Sequence, residues 1–153
     1  MKSTRPSSNW PLQALPAAEL EALAPRLEYV ELFRDTVLVE ADGALLRVRL
    51  PHSGAISTVV RLSEGQTMEV ATIGRDSVFG AAAALDRGIS MTSAVVMLPG
   101  AASVLDAADF RAMLHRSVGF RATAARHEQA LLAMAQQSAA CNEFHSVEAR
   151  LSC

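Results

Sequence analysis

A chain of 153 residues, half of them hydrophobic, is long enough to bury the core of one domain and too apolar to be intrinsically disordered. Its 14 basic and 16 acidic residues give a formal net charge of -2, which argues against nucleic-acid binding by these residues. No apolar run reaches the roughly 18 residues of a membrane span, and the N-terminus lacks the apolar core of a signal peptide. The two cysteines, Cys141 and Cys153, fit neither a zinc motif nor a disulfide framework, which predicts a reduced, cytoplasmic protein.

The first elements are an arm and a short helix. Residues 1–10 are polar and contain Pro6, which predicts a flexible N-terminal arm. Helical spacing then relates four leucines, Leu15, Leu20, Leu23 and Leu27. Pro16 suits the first turn of this helix, and Pro25 should end or bend it.

Between residues 28 and 106 the pattern is that of β-strands. Short runs rich in β-branched or apolar residues read VELFR, TVLVE, LLRVRL, AISTVVRL, TMEVATI, SAVVML and ASVLD. Turn signals separate them, including Ser53-Gly54 and Pro99-Gly100. In one run Leu46, Val48 and Leu50 should face inward, while Arg47 and Arg49 face outward. Many short strands at regular spacing predict an antiparallel barrel or jelly roll.

After Asp106 the pattern becomes helical. Asp106 is a candidate N-cap for a short helix, whose apolar face is Phe110, Met113 and Leu114. Gly119 interrupts this pattern, and a proline-free, alanine-rich stretch from about residue 120 to 141 predicts a long helix.

One face of the long helix carries a heptad seam. Its members recur at alternating steps of four and three residues: Phe120, Ala124, His127, Leu131, Met134, Ser138 and Cys141. We interpret this seam as the interface of a homodimer. The alternative is that the same stripe packs on the chain's own barrel.

This order of elements resembles the cyclic-nucleotide-binding domain, and more closely the N-terminal sensory domain of bacterial Crp/Fnr transcription regulators. The resemblance is carried by PHSGAIS, EGQTMEVATIGRDSVFGAAAALD, SAVVMLPGAASVLD and RHEQALLAMAQQSAACNEFHSVEARL. It implies a jelly roll of about eight strands, then a dimerising helix that leads into a DNA-reading winged helix-turn-helix. No recognition helix is visible before Cys153, so either the chain is a fragment or its parent lost that half.

The resemblance also implies a division of the chain. Residues 1–10 form the arm, and residues 11–116 form the cyclic-nucleotide-binding-like β-roll with its short flanking helices. Residues 117–153 form the dimerisation helix and the start of a linker to an absent DNA-binding domain.

In cyclic-nucleotide-binding members, the segment matching residues 78–96 is the phosphate-binding cassette. A glycine opens a short helix, a glutamate then bonds the ribose, and an arginine followed by a small hydroxyl residue binds the phosphate. Here Gly80 matches the glycine, but Ala81 stands at the glutamate position and no arginine occurs near Met91-Thr92-Ser93. The one nearby cation, Arg87, follows Asp86 in what reads as an exposed turn.

We therefore predict a cassette that keeps its fold but has lost its cyclic-nucleotide chemistry, with no cofactor. Its alanines either pack tightly against the barrel or line a more apolar pocket for a different small ligand. The candidate pocket residues are Phe79, Gly80, Ala81, Ala82, Arg87, Thr92 and Ser93.

An enzyme is not expected. Jelly rolls that hold catalytic metals need clustered histidines, and His52 is the only histidine of the strand region. The predicted function is the sensory and dimerisation domain of a Crp/Fnr-type regulator, which touches no membrane and reaches DNA only through a parent domain absent here. A ligand-free dimerisation module, or a sensor of a small apolar effector, is the alternative.

Overall fold

The computed structural model describes residues 8–144 of the chain. The predicted arm at residues 1–7 and the linker at residues 145–153 lie outside these residues. The helices are α1 (Trp10–Gln13), α2 (Ala17–Leu23), a 3-10 turn (Ala24–Arg26), α3 (Ala81–Leu85), α4 (Ala107–Arg116) and α5 (Val118–Phe144). The strands are β1 (Glu28–Leu32), β2 (Val37–Val39), β3 (Arg47–Arg61), β4 (Thr67–Ile73) and β5 (Ser93–Asp106).

The last residues of the predicted arm, Asn9 and Trp10, belong to the fold and are not part of a flexible arm. Asn9 is fully buried, and its side-chain oxygen accepts from the amide of Leu12, which caps α1. Its side-chain amide donates to the carbonyls of Pro51 at 2.9 Å and Ser77 at 3.0 Å. One short polar side chain thus ties the start of the chain to the sheet, which a polar composition does not reveal.

The strands pair antiparallel in the order β1-β5-β3-β4, and β2 also pairs with β5. The predicted class is therefore confirmed: an antiparallel β fold with flanking helices and a long C-terminal helix. β3 and β5 each join two of the predicted runs, so the turns predicted at Ser53-Gly54 and Pro99-Gly100 are wrong. The register shifts there instead, which marks β-bulges.

Glycine is needed at these bulges because two backbones approach closely. A Cβ at Gly100 would lie 2.3 Å from the carbonyl oxygen of Ser53. Gly54 adopts a φ of 79°, which L-residues rarely adopt. The same glycines that signal a turn in the sequence here allow the two backbones to approach each other closely.

A first core lies between the sheet and the helices. Val48 and Leu50 are fully buried there, as predicted, whereas Leu46 is 72 % exposed and its predicted burial is wrong. The core contains Leu12, Leu15, Leu23, Val48, Leu50, Val78, Ala81, Ala84, Leu105, Ala107, Phe110, Met113, Leu114, Phe120 and Ala124. This cluster fixes the helices against the outer face of the roll.

A second core fills the inside of the roll. It consists of Leu32, Leu45, Ile56, Ile73, Phe79, Ala94, Val96 and Ala102. Arg49 is directly paired with Val104 and with Phe79, so it lies on this inner face and is partly buried. Its predicted outward direction is wrong, because both faces of β3 are covered and alternation no longer separates inside from outside.

The two C-terminal helices are joined at Ser117. Asp106 is the N-cap position of α4 as predicted, although its side chain makes no capping bond. The break before α5 falls at Ser117 rather than Gly119, because the Ser117 hydroxyl accepts from the amide of Phe120 at 3.0 Å. Phe110 and Phe120 then pack edge to face at 5.5 Å. No helix within residues 8–144 is long and apolar enough to cross a membrane.

Candidate ligand site: the cassette

The cassette begins where the chain leaves the sheet. Phe79 exchanges two backbone hydrogen bonds with Arg49, of 2.8 Å and 3.0 Å. Gly80 follows with a φ of 91° and starts α3. This left-handed turn is the local reason that a glycine stands at the position where the cassette opens.

The chain itself closes one side of the cassette. The segment before β3 makes three backbone bonds to the loop after α3, joining Asp42 to Ser90, Ser90 to Gly43 and Leu45 to Gly88. Leu45 is 3 % exposed, and its Cδ2 lies 2.7 Å from where a Cβ on Gly80 would stand. Leu45 therefore occupies the space beside the opening glycine.

The alanine run of α3 is a packing element. Ala81 and Ala84 are buried in the core between sheet and helices, whereas Ala82 is exposed. The Arg111 guanidinium donates to the Ala84 carbonyl at 2.9 Å and so ties α4 to α3. The residue at the family's glutamate position thus packs toward the helices, and it carries no polar group for a ribose.

The hydroxyl that remains at the end of the cassette is already bonded. Ser93 Oγ accepts from the amide of Ala41 at 2.9 Å and donates to Glu40 Oε2 at 2.9 Å. Thr92 is partly buried, and its carbonyl accepts from Ser90. Arg87 is exposed and makes no ion pair with the residues that the structure describes. A phosphate beside Ser93 would therefore meet a carboxylate in place of a cation.

The first half of the predicted dimer seam faces its own chain. Phe120 and Ala124 are 2 % and 4 % exposed in the core. His127 Nε2 lies 3.3 Å from both the amide nitrogen and the carbonyl oxygen of Val78. Leu131 packs against the inner core. Phe120 and Ala124 therefore pack against their own roll, which leaves little of either side chain for contact with a second copy.

The second half of the seam has mixed surroundings. Met134 is 58 % exposed and Ser138 is exposed. Cys141 is 5 % exposed and is disulfide-bonded, which differs from the predicted reduced protein. The seven seam residues therefore do not form one continuous open face.

A separate cavity of about 450 Å³ lies beside the N-terminal residues, between His52 and Arg75. Arg75 sits 5.8 Å from the ring centroid of Trp10. His52 Nδ1 accepts from the Ser8 amide at 3.3 Å, so Nε2 donates to the Ser103 hydroxyl at 2.8 Å. Burial lowers the pKa of His52, and Tyr29 stacks on its ring at 5.7 Å. The imidazole thus connects β3 to β5 and to β1 through these side-chain contacts.

Sequence reasoning missed two residues that shape the cassette. Glu40 was one polar residue of a strand run, and only the fold brings it to Ser93. Alternation predicts that Arg49 lies on the surface, and only the pairing with Phe79 places it beside the cassette. Among residues 8–144 no group of three or more histidine, cysteine or acidic side chains is placed to hold a metal.

No protein-family profile and no curated protein matches the sequence, but solved structures do. The c-di-GMP responsive global regulator CLP of Xanthomonas campestris matches 86 % of this chain and 67 % of its own, at a TM-score of 0.73 and 9 % identity. The N-terminal domain of a transcriptional regulator from Streptomyces coelicolor A3(2) matches 84 % of this chain and 90 % of its own, at a TM-score of 0.62 and 17 % identity. The regulatory subunit of a cAMP-independent protein kinase A from Trypanosoma brucei matches 78 % of this chain and 43 % of its own, at a TM-score of 0.67 and 18 % identity.

This chain has the cyclic-nucleotide-binding fold. Its structural neighbours include transcription regulators of the Crp/Fnr type, as the sequence resemblance implies. At these identities the likeness establishes the fold, and chemistry has to be argued from the site. The chain spans less than half the length of the kinase subunit.

Proposed function

We propose that this chain is the sensory and dimerisation part of a Crp/Fnr-type bacterial transcription regulator whose cassette does not take cyclic nucleotide. The fold supports the regulatory role, since two of its neighbours are transcription regulators or parts of them. In this proposal the chain is not catalytic, and DNA is read by a further domain.

The observation that carries the proposal is the Glu40–Ser93 hydrogen bond. A buried phosphate needs a cation and N–H or O–H donors. Here the Ser93 hydroxyl donates to a carboxylate, Ala81 offers no acceptor for a ribose, and Arg87 lies on the surface. Bringing a cyclic phosphate to this position would add like-charge repulsion to its desolvation, at a cost of several kcal/mol.

The dimer surface that we propose is the outer stripe of α5, the side opposite to the roll. Its residues are exposed and recur at steps of four and three: Val118, Ala122, Ala125, Gln129, Leu132 and Gln136. The 27 residues of α5 would extend about 40 Å, which is long enough for several turns of helix-to-helix contact. Val118 and Leu132 are 71 % and 59 % exposed, large apolar side chains that a second copy of the same helix would cover.

A pair of lysine variants tests this surface. Leu132 and Met134 are 59 % and 58 % exposed, but two residues along a helix place them about 200° apart. Leu132→Lys should put a charge in each half of the interface and yield monomers. Met134→Lys should leave the dissociation constant of the dimer unchanged. Sedimentation equilibrium of both variants and the wild type measures this.

The opposite result would assign the interface to the predicted heptad seam. If Met134→Lys forms monomers and Leu132→Lys remains dimeric, the copies meet through the distal part of that seam. A monomeric wild type would remove dimerisation from the proposal.

A ligand-free dimerisation module is the second candidate. Leu45 at Gly80 and the buried alanines of α3 favour it, because the chain fills its own cassette. A sensor of a different small ligand is favoured by the inner face of the roll, where a charged side chain stands among apolar ones.

A further inference from the structure

Arg49 is a charged side chain on the inner face of the roll. Its two directly paired neighbours, Val104 and Phe79, are 1 % and 4 % exposed. The only hydrogen bond of its side chain within residues 8–144 is a long one of 3.5 Å to the carbonyl of Arg47. A strand position of this kind ordinarily holds an apolar residue.

The acidic residues near Arg49 are bound to another arginine. Arg47 donates to Glu28 and lies 3.7 Å from Asp106. No carboxylate of the described residues lies within 4 Å of the Arg49 guanidinium. Burial, and secondarily the charge of Arg47, lowers the pKa of Arg49, yet a guanidinium stays charged in proteins. The inner face therefore carries a positive charge without a counter-charge from the described part of the chain.

We propose that Arg49 binds a small oxyanion, a carboxylate or a phosphate, inside the roll at the start of the cassette. The backbone of Arg49 is bonded to Phe79, the residue before Gly80, so the cation enters the site from β3. A planar guanidinium can hold either oxyanion through two parallel hydrogen bonds. This inference rests on the proposed sensory role and names its ligand class.

The surroundings of Arg49 limit the size of the ligand. The inner core is built from apolar side chains, and Leu45 stands against Gly80. A nucleotide would have to displace both, whereas a small anion with a short apolar body needs only the neighbourhood of the guanidinium. The proposed site is thus distinct in its cation and in its ligand from a phosphate site at residues 92 and 93.

Thermal unfolding with defined salts tests the site. We would compare sodium phosphate and sodium benzoate with sodium chloride at equal ionic strength, so that general screening cancels. When the anion concentration is ten times its dissociation constant, binding should raise the Tm by about 4 °C. A rise with phosphate alone assigns a phosphate ligand, and a rise with benzoate assigns a carboxylate.

Two variants locate the response. Arg49→Met keeps an apolar stem of similar reach and should fold, since replacing a buried charge by an apolar residue is often neutral or stabilising. It should lose the anion-specific rise, while Arg87→Met, which removes the exposed cassette cation, should keep it. The ¹⁵N resonance of the Arg49 Nε–H in the wild type gives a reading that needs no variant, and it should shift on titration.

Two outcomes overturn the inference. One is a wild type that responds to phosphate and benzoate only as it does to chloride, with no shift of the Arg49 resonance. The other is an undiminished rise in Arg49→Met, which places the anion elsewhere. Either result leaves dimerisation through α5 and the lack of cyclic-nucleotide affinity standing, because those are measured separately.

Discussion

Gly80 is held in a conformation that a side chain would strain. Its φ is 91°, and a Cβ would lie 2.7 Å from Leu45. Gly65 provides a matched comparison, because its φ is 84° but nothing lies within 4 Å of its Cβ position. The two glycines thus separate the cost of the backbone conformation from the cost of crowding.

We expect Gly65→Ala to lower the free energy of unfolding by about 1 kcal/mol, the cost of a left-handed alanine. Gly80→Ala should lower it further, and Leu45→Ala should relieve part of that excess. Urea unfolding of the two single variants and the double variant measures these differences. Equal losses for Gly65→Ala and Gly80→Ala would mean that Leu45 does not crowd the cassette.

His52 should make stability depend on pH. Burial lowers its pKa below the ordinary value of 6.5, so the unfolded chain takes up protons first as the pH falls. The stabilisation is therefore complete above about pH 6.5 and is lost as the pH falls through the folded-state pKa. Protonation of Nδ1 would also break the acceptor bond to Ser8.

We expect the Tm of the wild type to fall more between pH 7.5 and pH 5.5 than that of His52→Asn, which has no titrating ring. Burial raises the pKa of Glu128, against the opposing charge of His127, and this group favours folding at lower pH. Both proteins contain Glu128, so their difference isolates His52. Parallel Tm curves over this range would show that His52 does not control the effect.

At the level of elements, a side-chain hydrogen bond adds to the apolar packing between α5 and the cassette. The amide of Val78 donates to His127 Nε2 at 3.3 Å, and the next amide, that of Phe79, donates to Arg49 instead. Removing the imidazole should expose the first amide and spare the second.

We expect His127→Ala to speed hydrogen exchange at Val78 by several-fold and to leave Phe79 unchanged. Exchange followed by NMR reads both amides in one sample. Unchanged protection at Val78 would show that its amide is shielded without His127 and that α5 is not coupled to the cassette here.

The element boundaries that the sequence predicted well are those marked by periodicity. The seven β runs and the helix after Asp106 follow alternation or helical spacing, and each lies in or beside the observed element. The errors fall where tertiary contacts decide. Gly54 and Gly100 mark bulges between β3 and β5, and Ser117 rather than Gly119 marks the break before the long helix.

The cassette could be recognised from the sequence, but its contacts could not. The linear sequence shows Gly80, and it shows that no arginine occurs near Thr92 and Ser93. Glu40 and Arg49 are 53 and 30 residues from their partners Ser93 and Phe79, so only the pairing of strands brings them there. The contacts of the heptad seam on α5 could not be predicted either, because a heptad pattern does not say whether the roll or a second helix covers the seam.

At the level of the whole molecule, the chain has the cyclic-nucleotide-binding fold, and we propose that its ligand site is altered. The roll, the cassette helix and α5 are all present. The polar groups that would hold a cyclic phosphate are missing, buried in packing or bonded to Glu40.

Isothermal titration of cyclic AMP and cyclic GMP into the chain tests this claim most directly. We predict no saturable heat for either nucleotide up to millimolar concentration, because Ser93 donates to Glu40 and the one arginine of the cassette, Arg87, lies on the surface. Saturable binding of either nucleotide with a low-micromolar dissociation constant would contradict it.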